Sequence, residues 1–219
     1  MRRLSAALAA AALLLPHPSP GAAKARVFRV NAGGETVRVV VPKLFEPLLP
    51  GSVYPDRRRP RAGRATPVAI VERTLARRAE PLLLEHGFVV AEAGTIDRAA
   101  IDRILAALAA RIDGGIGEAT LLARSPGDAL ADPRVRAAAL MDPPPDRGFP
   151  PASGGVPILL LRATAAGAVP AAATAPDGGV NERWYRSDRG LPPEAFRDAA
   201  EWLASAAAGA GGGRSSPAR

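Results

Sequence analysis

Short apolar runs recur along the chain, and helical and turn patterns separate them. Runs without a charged residue lie at 67–71, 88–91, 119–123, 137–141 and 157–161. Such runs are typical of strands buried on both faces, because each side of the strand packs against a covering layer. Their recurrence predicts a central, mostly parallel sheet.

Two further segments alternate apolar and polar residues, as strands with one exposed face do. RVFRVNAGGETVRVVVP, residues 26–42, has this alternation on both sides of Asn31–Gly34. Asparagine and glycine supply the positive-φ positions that a hairpin turn needs. ERWYR, residues 182–186, is the last alternating strand. The pattern therefore predicts eight strands, with an antiparallel hairpin at the N-terminal end.

Three stretches between or after these strands have the spacing of amphipathic helices. The first extends over 72–86, with an interruption or restart at Pro81. The second, 97–111, is the clearest, and Thr95 is its expected N-cap. The third is 194–208. One face of the second and third helices is formed by apolar residues: Ile101, Ile104, Leu105 and Leu108, and Phe196, Ala199, Ala200 and Leu203.

Strands that alternate with helices predict an α/β fold. We expect a mostly parallel central sheet flanked by helices on both faces, a three-layer sandwich with the N-terminal antiparallel hairpin at its edge. A single domain over 26–208 is the expectation for this length. The tail at 209–219 is alanine, glycine and serine, which predicts a flexible end.

The first 25 residues have the features of a secretory signal peptide. Arg2 and Arg3 form a positive start, and the run Leu4–Leu15 is too short to cross a bilayer. Small-residue cleavage sites follow at 21–23 and 23–25. A buried amphipathic helix is the alternative interpretation. We expect an exported protein, periplasmic or secreted, and the paired arginines leave Sec and twin-arginine export both open.

Composition narrows the class of protein only a little. The chain has 29 lysine and arginine residues and 21 acidic ones; cleavage after Ala25 leaves 26 against 21, a net charge of +5. This mild charge does not indicate a nucleic-acid-binding protein. There is no cysteine, so the core must stabilise the exported chain without disulfides. No further segment is long and apolar enough to span a membrane.

The order of these elements, and several stretches within them, resemble the α/β-hydrolase superfamily. The likeness covers most of 67–208. Within the superfamily, the chain most resembles small exported esterases and dienelactone-hydrolase-like proteins. It lies in EPLLLEHGFVVAEAG, DPRVRAAALMDPPP, GVPILLLRATAAGAVP and NERWYRSDRGLPPEAFRDAAEWLASA. The resemblance implies a small ester-like ligand and a catalytic serine, histidine and acid.

The resemblance places a nucleophile at the turn after 119–123. ARSPG there is the nearest match to the pattern G-x-S-x-G, with Ser125 at its centre. An alanine replaces the first glycine, and Pro126 has no N–H to serve as an oxyanion donor. Only Gly127–Ala131 is left for the helix that should follow. A second glycine-rich turn, Asp113–Gly117, has no nucleophile at its centre.

The positions of the acid and the base depart further from the pattern. No carboxylate follows PILLLR, so Asp142 and Asp146, after the preceding strand, are the candidates for the acid; ordinary turn aspartates are the alternative interpretation. Arg189 stands where the base belongs, and arginine stays protonated in proteins. His86 is the single histidine after residue 25. It lies in a helix-to-strand turn, where a surface or capping role is expected.

An arginine-rich segment, DRRRPRAGR at 56–64, is a second candidate site. It carries Arg57, Arg58, Arg59 and Arg61, which could bind an anionic surface such as lipopolysaccharide or acidic phospholipid. A solvated loop is the alternative interpretation. No aromatic residue interleaves with these arginines, so stacking on single-stranded nucleic acid is not indicated. One histidine and no cysteine argue against a His/Cys metal site, and no cofactor is expected.

Three functional interpretations follow. The first is an exported α/β-hydrolase-fold protein, related to carboxylic-ester hydrolases, whose catalytic triad is degraded and whose activity is weak or lost. The second is an active serine esterase in which Ser125 uses unconventional partners such as Asp142, Asp188 or neighbouring lysine and arginine residues. The third is an exported, non-enzymatic binding protein that uses the arginine-rich loop. The oligomeric state is left open.

Overall fold

A computed structural model describes residues 25–42, 66–112, 115–144, 155–165 and 180–210. The strands are β1 (Ala25–Ala32), β2 (Glu35–Pro42), β3 (Val68–Glu72), β4 (Val89–Ala93), β5 (Ala119–Ala123), β6 (Val135–Met141), β7 (Ile158–Thr164) and β8 (Val180–Arg186). The helices are α1 (Arg73–Glu85), α2 (Arg98–Ala109) and α3 (Pro193–Ala210), with a 3-10 helix at Gly127–Ala131.

The eight strands form one sheet in the order β1-β2-β4-β3-β5-β6-β7-β8. β1 pairs antiparallel with β2, and β2 pairs antiparallel with β4. Every other neighbouring pair is parallel. The predicted mostly parallel sheet with an N-terminal antiparallel hairpin is therefore confirmed.

The hairpin turn forms where the sequence predicts it. Gly33 and Gly34 have φ values of 66° and 95°, a region that residues with a Cβ rarely adopt. The Asn31 side chain accepts a hydrogen bond from the Gly34 N–H at 2.8 Å. This local bond closes the turn and sets the register in which Ala32 lies opposite Glu35.

Helices cover both faces of the sheet. α1 and α3 pack on one face, where Leu83, Phe196 and Leu203 meet the inward side chains of the central strands. α2 and the 3-10 helix pack on the other face, where Ile101 and Leu130 belong to the same apolar cluster. The strands between these layers are buried on both sides, which is why their sequences are continuously apolar.

Two local expectations differ from the structure. α1 continues through Pro81 without interruption; the proline is exposed, and the buried Leu83 holds the last turn of the helix against the sheet. The N-cap of α2 is Asp97, not Thr95: its carboxylate accepts the Ala100 N–H at 2.6 Å. A carboxylate at this position also interacts favourably with the positive end of the helix.

The connection from β5 to β6 is very short. It comprises residues 124–134, and a parallel crossover needs about 10–12 residues in total. The chain therefore has room for a 3-10 helix but not for a longer α-helix. This agrees with the short helix expected from Gly127–Ala131.

Asp132 anchors the end of this crossover and is completely buried. Arg134 donates from its backbone N–H and from Nε to Oδ1, both at 2.9 Å, and from its terminal nitrogen to Oδ2 at 2.7 Å. These hydrogen bonds lower the pKa of Asp132 below its usual value. The exposed Asp102 on α2 binds the same guanidinium.

A second polar contact joins α3 to β8. The Tyr185 hydroxyl donates to Oδ2 of Asp198 at 2.7 Å, and Arg183 donates to the same oxygen at 2.7 Å. The hydrogen bond from Tyr185 is the main cause of a lowered pKa at Asp198. Burial is the main cause of a raised pKa at Tyr185.

Within the described ranges, no helix is both long enough and apolar enough to cross a membrane.

Candidate functional site

The carboxyl ends of the parallel strands meet at one edge of the sheet, which we call the carboxyl edge. In open α/β sheets this is the edge where ligands bind, because the loops that follow the strands converge there. The end of β3, the turn after β5 and the turn after β6 all lie at this edge. The predicted residues Ser125 and Asp142 are both in these turns.

Ser125 lies in the turn between β5 and the 3-10 helix and is half-buried. The following Pro126 is buried and has no N–H to donate. Among the described residues, Asp142 is the one non-glycine residue with a positive φ, so the backbone of Ser125 is not left-handed. Gly127 takes the left-handed conformation instead, at φ 54°. The turn therefore differs from the strained turn that presents a hydrolase nucleophile.

A carboxylate from the end of β3 is bound to the serine turn. Oε2 of Glu72 accepts the backbone N–H of Arg124 at 2.8 Å, and Oε1 accepts the Thr74 hydroxyl at 2.6 Å. The N–H directly before Ser125 is thus already bound by a negative group of the same chain. An N–H at this place would otherwise be available to a ligand oxygen.

Glu72 is not among the site residues predicted from the sequence. The available signal is its place as the one charged residue that ends the buried strand VAIVE. A charged residue at the carboxyl end of a buried parallel strand projects into the region where ligands bind.

Asp142 follows β6, one strand away from the turn that carries Ser125. Its φ is 50°, a sparsely populated conformation for a residue with a Cβ. Its N–H donates to the Leu161 carbonyl at 2.7 Å, and its Oδ1 lies 3.5 Å from the Ala163 nitrogen. Asp142 therefore joins β6 to β7 at the carboxyl edge.

Glu35 makes the same kind of contact near the N-terminal hairpin. Its Oε1 accepts the Gly94 N–H at 2.9 Å and lies 3.3 Å from the Arg73 guanidinium. Together, Glu35, Glu72 and Asp142 each accept an N–H from the end of a neighbouring strand or from the turn after it. We call these three residues the edge carboxylates. They satisfy backbone donors that would otherwise face solvent or a ligand.

His86 lies far from Ser125. It is the C-cap residue of α1, is exposed, and precedes the amino end of β4. Ser125 follows the carboxyl end of β5, which is parallel to β4 in the same sheet. A five-residue strand is about 16 Å long, so the imidazole and the serine lie at opposite edges.

The loop after β8 is where the resemblance places the base. Arg189 is exposed there, and its N–H donates to the Ser187 hydroxyl at 3.3 Å. Asp188, beside it, is also exposed. A guanidinium cannot accept a proton near neutral pH, so Arg189 does not supply a base.

The remaining predicted site residues lie outside the described part of the chain. They are Arg57, Arg58, Arg59 and Arg61 of the arginine-rich segment, and Asp146. Within the described ranges, His, Cys, Asp and Glu side chains form no group of three that could bind a metal ion.

Comparison with known proteins yields a likeness in structure but none in sequence. No protein-family model matches the chain, and no curated protein matches it in sequence. A predicted CIB-like hydrolase from Thermoplasma acidophilum is similar in structure, with a TM-score of 0.51 and 10% identity over 83% of this chain and 98% of that one.

Two other solved structures match with lower scores. XC6422 from Xanthomonas campestris, an α/β serine hydrolase without a lid, has a TM-score of 0.46 and 15% identity over 90% of this chain and 97% of that one. A cold-adapted esterase from an Arctic intertidal metagenomic library has a TM-score of 0.48 and 13% identity over 83% of this chain and 92% of that one.

The fold assignment depends on the observed sheet and on the first of these three structures. The sheet is mostly parallel, carries an antiparallel pair at its N-terminal end and has helices on both faces. At 10% identity the likeness establishes architecture and not chemistry. The chain therefore has an α/β-hydrolase-like fold.

Proposed function

We propose that this protein binds a small ester-like ligand at the carboxyl edge of a hydrolase fold and that its serine-hydrolase activity is weak or lost. The observation that carries the proposal is the separation of His86 from Ser125. A serine hydroxyl is a poor nucleophile until an adjacent base takes its proton. The one histidine after residue 25 lies at the other edge of the sheet.

The arrangement of donors supports the same proposal. Ester hydrolysis needs N–H groups directed at the oxyanion that develops during attack, and the loss of one such donor lowers kcat about 100- to 1000-fold. Pro126 stands directly after Ser125, where the fold takes one of these donors, and it has no N–H to supply. A ligand that is bound without being hydrolysed develops no negative oxygen, so its binding does not require these N–H donors.

An active serine esterase is the second candidate, and Asp142 favours it. Its φ of 50° is the kind of strained backbone that clusters at functional sites. It also lies at the same edge as Ser125, one strand away. In this second candidate mechanism, the Asp142 carboxylate accepts the proton of the Ser125 hydroxyl directly, without a histidine between them.

The test is labelling with a fluorophosphonate probe together with turnover of short-chain nitrophenyl esters. We expect the wild-type protein to react no faster than the Ser125→Ala variant, because His86, the one histidine after residue 25, lies at the opposite edge of the sheet. The exposed Ser205 on α3 offers a matched control, Ser205→Ala, for adventitious labelling.

Labelling of the wild type that disappears in Ser125→Ala would replace the first proposal by the second. In that case Asp142→Asn should lower kcat by about 100-fold or more, because a general base contributes that much. Turnover that survives Asp142→Asn would rule out Asp142 as the base.

We further propose that the chain is exported after removal of its first residues. The positive start and the short apolar run support this, and β1 begins at Ala25, so a cut after Ala23 or Ala25 leaves that strand almost whole. The intact mass of protein recovered from the periplasm or medium of an expressing bacterium should lack residues 1–23 or 1–25. Recovery of the full-length chain from the cytoplasm alone would contradict export.

A further inference from the structure

β8 is the last strand of the sheet, and it pairs with β7 along one side. Within the described residues no strand pairs with its other side. An edge strand presents backbone N–H and C=O groups that can pair with another chain. Seven residues, Val180–Arg186, are available for such pairing.

Edge strands often carry charged side chains that prevent pairing with another chain. β8 also carries an exposed aromatic side chain. Trp184 is 41% exposed and is one of the two large apolar residues exposed in the described part of the chain. The guanidinium of Arg162 lies 5.7 Å from the centre of its ring, and Arg162 also binds Glu182 at 2.8 Å. An exposed aromatic side chain on an edge strand is suited to a protein contact.

We propose that two copies of this chain pair through β8, antiparallel, about a two-fold axis perpendicular to the sheet and passing next to Trp184. The contact would join the two sheets into one continuous sheet. A two-fold contact uses the same surface in both copies, so the strand must be complementary to itself.

The register centred on Trp184 meets that condition. Directly opposed residues on an antiparallel pair lie on the same face of the sheet. In this register Trp184 lies opposite its own copy, and Glu182 lies opposite Arg186, an attractive pair that occurs twice. Arg183 lies opposite Tyr185 on the other face, a cation beside an aromatic ring.

Three other two-fold registers oppose like charges. A shift to centre on Arg183 or Arg186 places that arginine opposite its own copy, and a shift to Glu182 places two glutamates together. A shift to Tyr185 places Arg186 opposite Trp184 and places no residue of β8 opposite Glu182, so neither attractive pair forms. Like charges directly opposed on a sheet are destabilising. The charge pattern of β8 therefore favours one register.

The other edge of the sheet does not offer the same fit. β1 carries Arg26 and Arg29 and no acidic residue. Two β1 strands side by side would bring four positive charges together without a compensating carboxylate. Of the two edges, β8 is therefore the one suited to pair with a second copy.

Sedimentation velocity or light scattering on the chain across a wide range of concentration tests the proposal. We expect a dimer whose dissociation constant rises roughly tenfold or more in Arg186→Glu, because two attractive pairs become two repulsive ones. Arg77→Glu, on the exposed side of α1, is the matched control for the same change of charge.

A mixing experiment tests the register itself. Glu182→Arg alone should also weaken the dimer, and a mixture of Glu182→Arg with Arg186→Glu should form a heterodimer, because each repulsive pair becomes Arg opposite Glu again. Since Glu182 also binds Arg162 within the chain, circular dichroism should verify that both variants are folded.

Three results would overturn the proposal. They are a chain that stays monomeric at every concentration, a dimer unaffected by Arg186→Glu, and a mixture of the two variants that does not associate. If Glu182→Arg does not fold, the comparison of Arg186→Glu with Arg77→Glu decides the matter by itself.

Discussion

At the residue scale, three carboxylates define the carboxyl edge of the sheet. The edge carboxylates turn inward to bind backbone N–H groups of their own chain. The donors belong to Gly94, Arg124 and Ala163, each at or just beyond the end of a strand beside the one that carries the carboxylate. The three carboxylates therefore join neighbouring strands where the sheet ends.

The contact of Glu72 with Arg124 leads to a prediction for hydrogen exchange. Removal of the carboxylate in Glu72→Ala should speed exchange of the Arg124 amide about tenfold, because a hydrogen bond to a charged acceptor contributes about 1.5 kcal/mol. Mass spectrometry or NMR of the exchanging amide measures this rate. Glu72→Gln retains an oxygen acceptor and should have a smaller effect.

The exposed Glu85 at the end of α1 provides the control for a loss of charge, as Glu85→Ala. Equal exchange of the Arg124 amide in Glu72→Ala and Glu85→Ala would show that Glu72 does not protect this amide in solution.

At the scale of elements, the sheet depends on polar contacts where its apolar core ends. α3 packs its apolar face on the central strands, but β8 at the sheet edge is largely exposed. The contact of Tyr185 and Arg183 with Asp198 joins this strand to the helix. A hydrogen bond to a carboxylate orients the two elements more strictly than apolar contact alone.

The bond from Tyr185 to Asp198 can be removed without a change of shape. Tyr185→Phe should lower the free energy of unfolding by about 1 kcal/mol, the usual contribution of one such bond. It should also raise the pKa of Asp198, because the hydroxyl is the main cause of its lowered value. Urea unfolding and an NMR titration of the carboxyl group measure the two effects.

Ser205→Ala deletes an exposed hydroxyl from the same helix and should leave both quantities almost unchanged. An unchanged Asp198 titration in Tyr185→Phe would mean that the hydroxyl and the carboxylate are not bonded in solution.

At the scale of the whole molecule, the free energy of unfolding should depend on pH because of Asp132. Its folded pKa is lowered by the hydrogen bonds from Arg134. The stabilisation is therefore complete above the unfolded pKa, about 3.9, and is lost as the pH falls through the lower folded value. Acid should weaken the crossover between β5 and β6 first.

Asp132→Ala should reduce the free energy of unfolding at neutral pH by about 3 kcal/mol, since it leaves Arg134 without its buried partner. The difference from the wild type should shrink at an acidic pH below the unfolded pKa of about 3.9, because protonation of the wild-type carboxylate removes the stabilisation. Chemical unfolding at the two pH values measures both. Asp102→Ala removes an exposed partner of the same arginine and should cost less than about 1 kcal/mol. A difference between Asp132→Ala and the wild type that does not depend on pH would contradict this account.

Local patterns predict most of the fold. The run 119–123 is β5 in full, and the alternation around Asn31–Gly34 becomes the observed hairpin. Two predictions made from local rules are wrong: the N-cap of α2 is not Thr95, and α1 is not interrupted at Pro81. Packing of Leu83 outweighs the tendency of Pro81 to break a helix. The glutamate that binds the serine turn had no local signal beyond its place at a strand end.

The sequence by itself determined the succession of strands and helices along the chain, because apolar periodicity depends on residues close together in sequence. It also determined that one histidine remains after residue 25 and that Pro126 has no N–H. Only the tertiary structure decided that this histidine lies at the opposite edge of the sheet from Ser125. Only the tertiary structure joined Glu72 to Arg124, which are 52 residues apart. Contacts of this kind depend on which strands become neighbours, and strand order in a parallel sheet is set by packing of the whole core rather than by any local pattern.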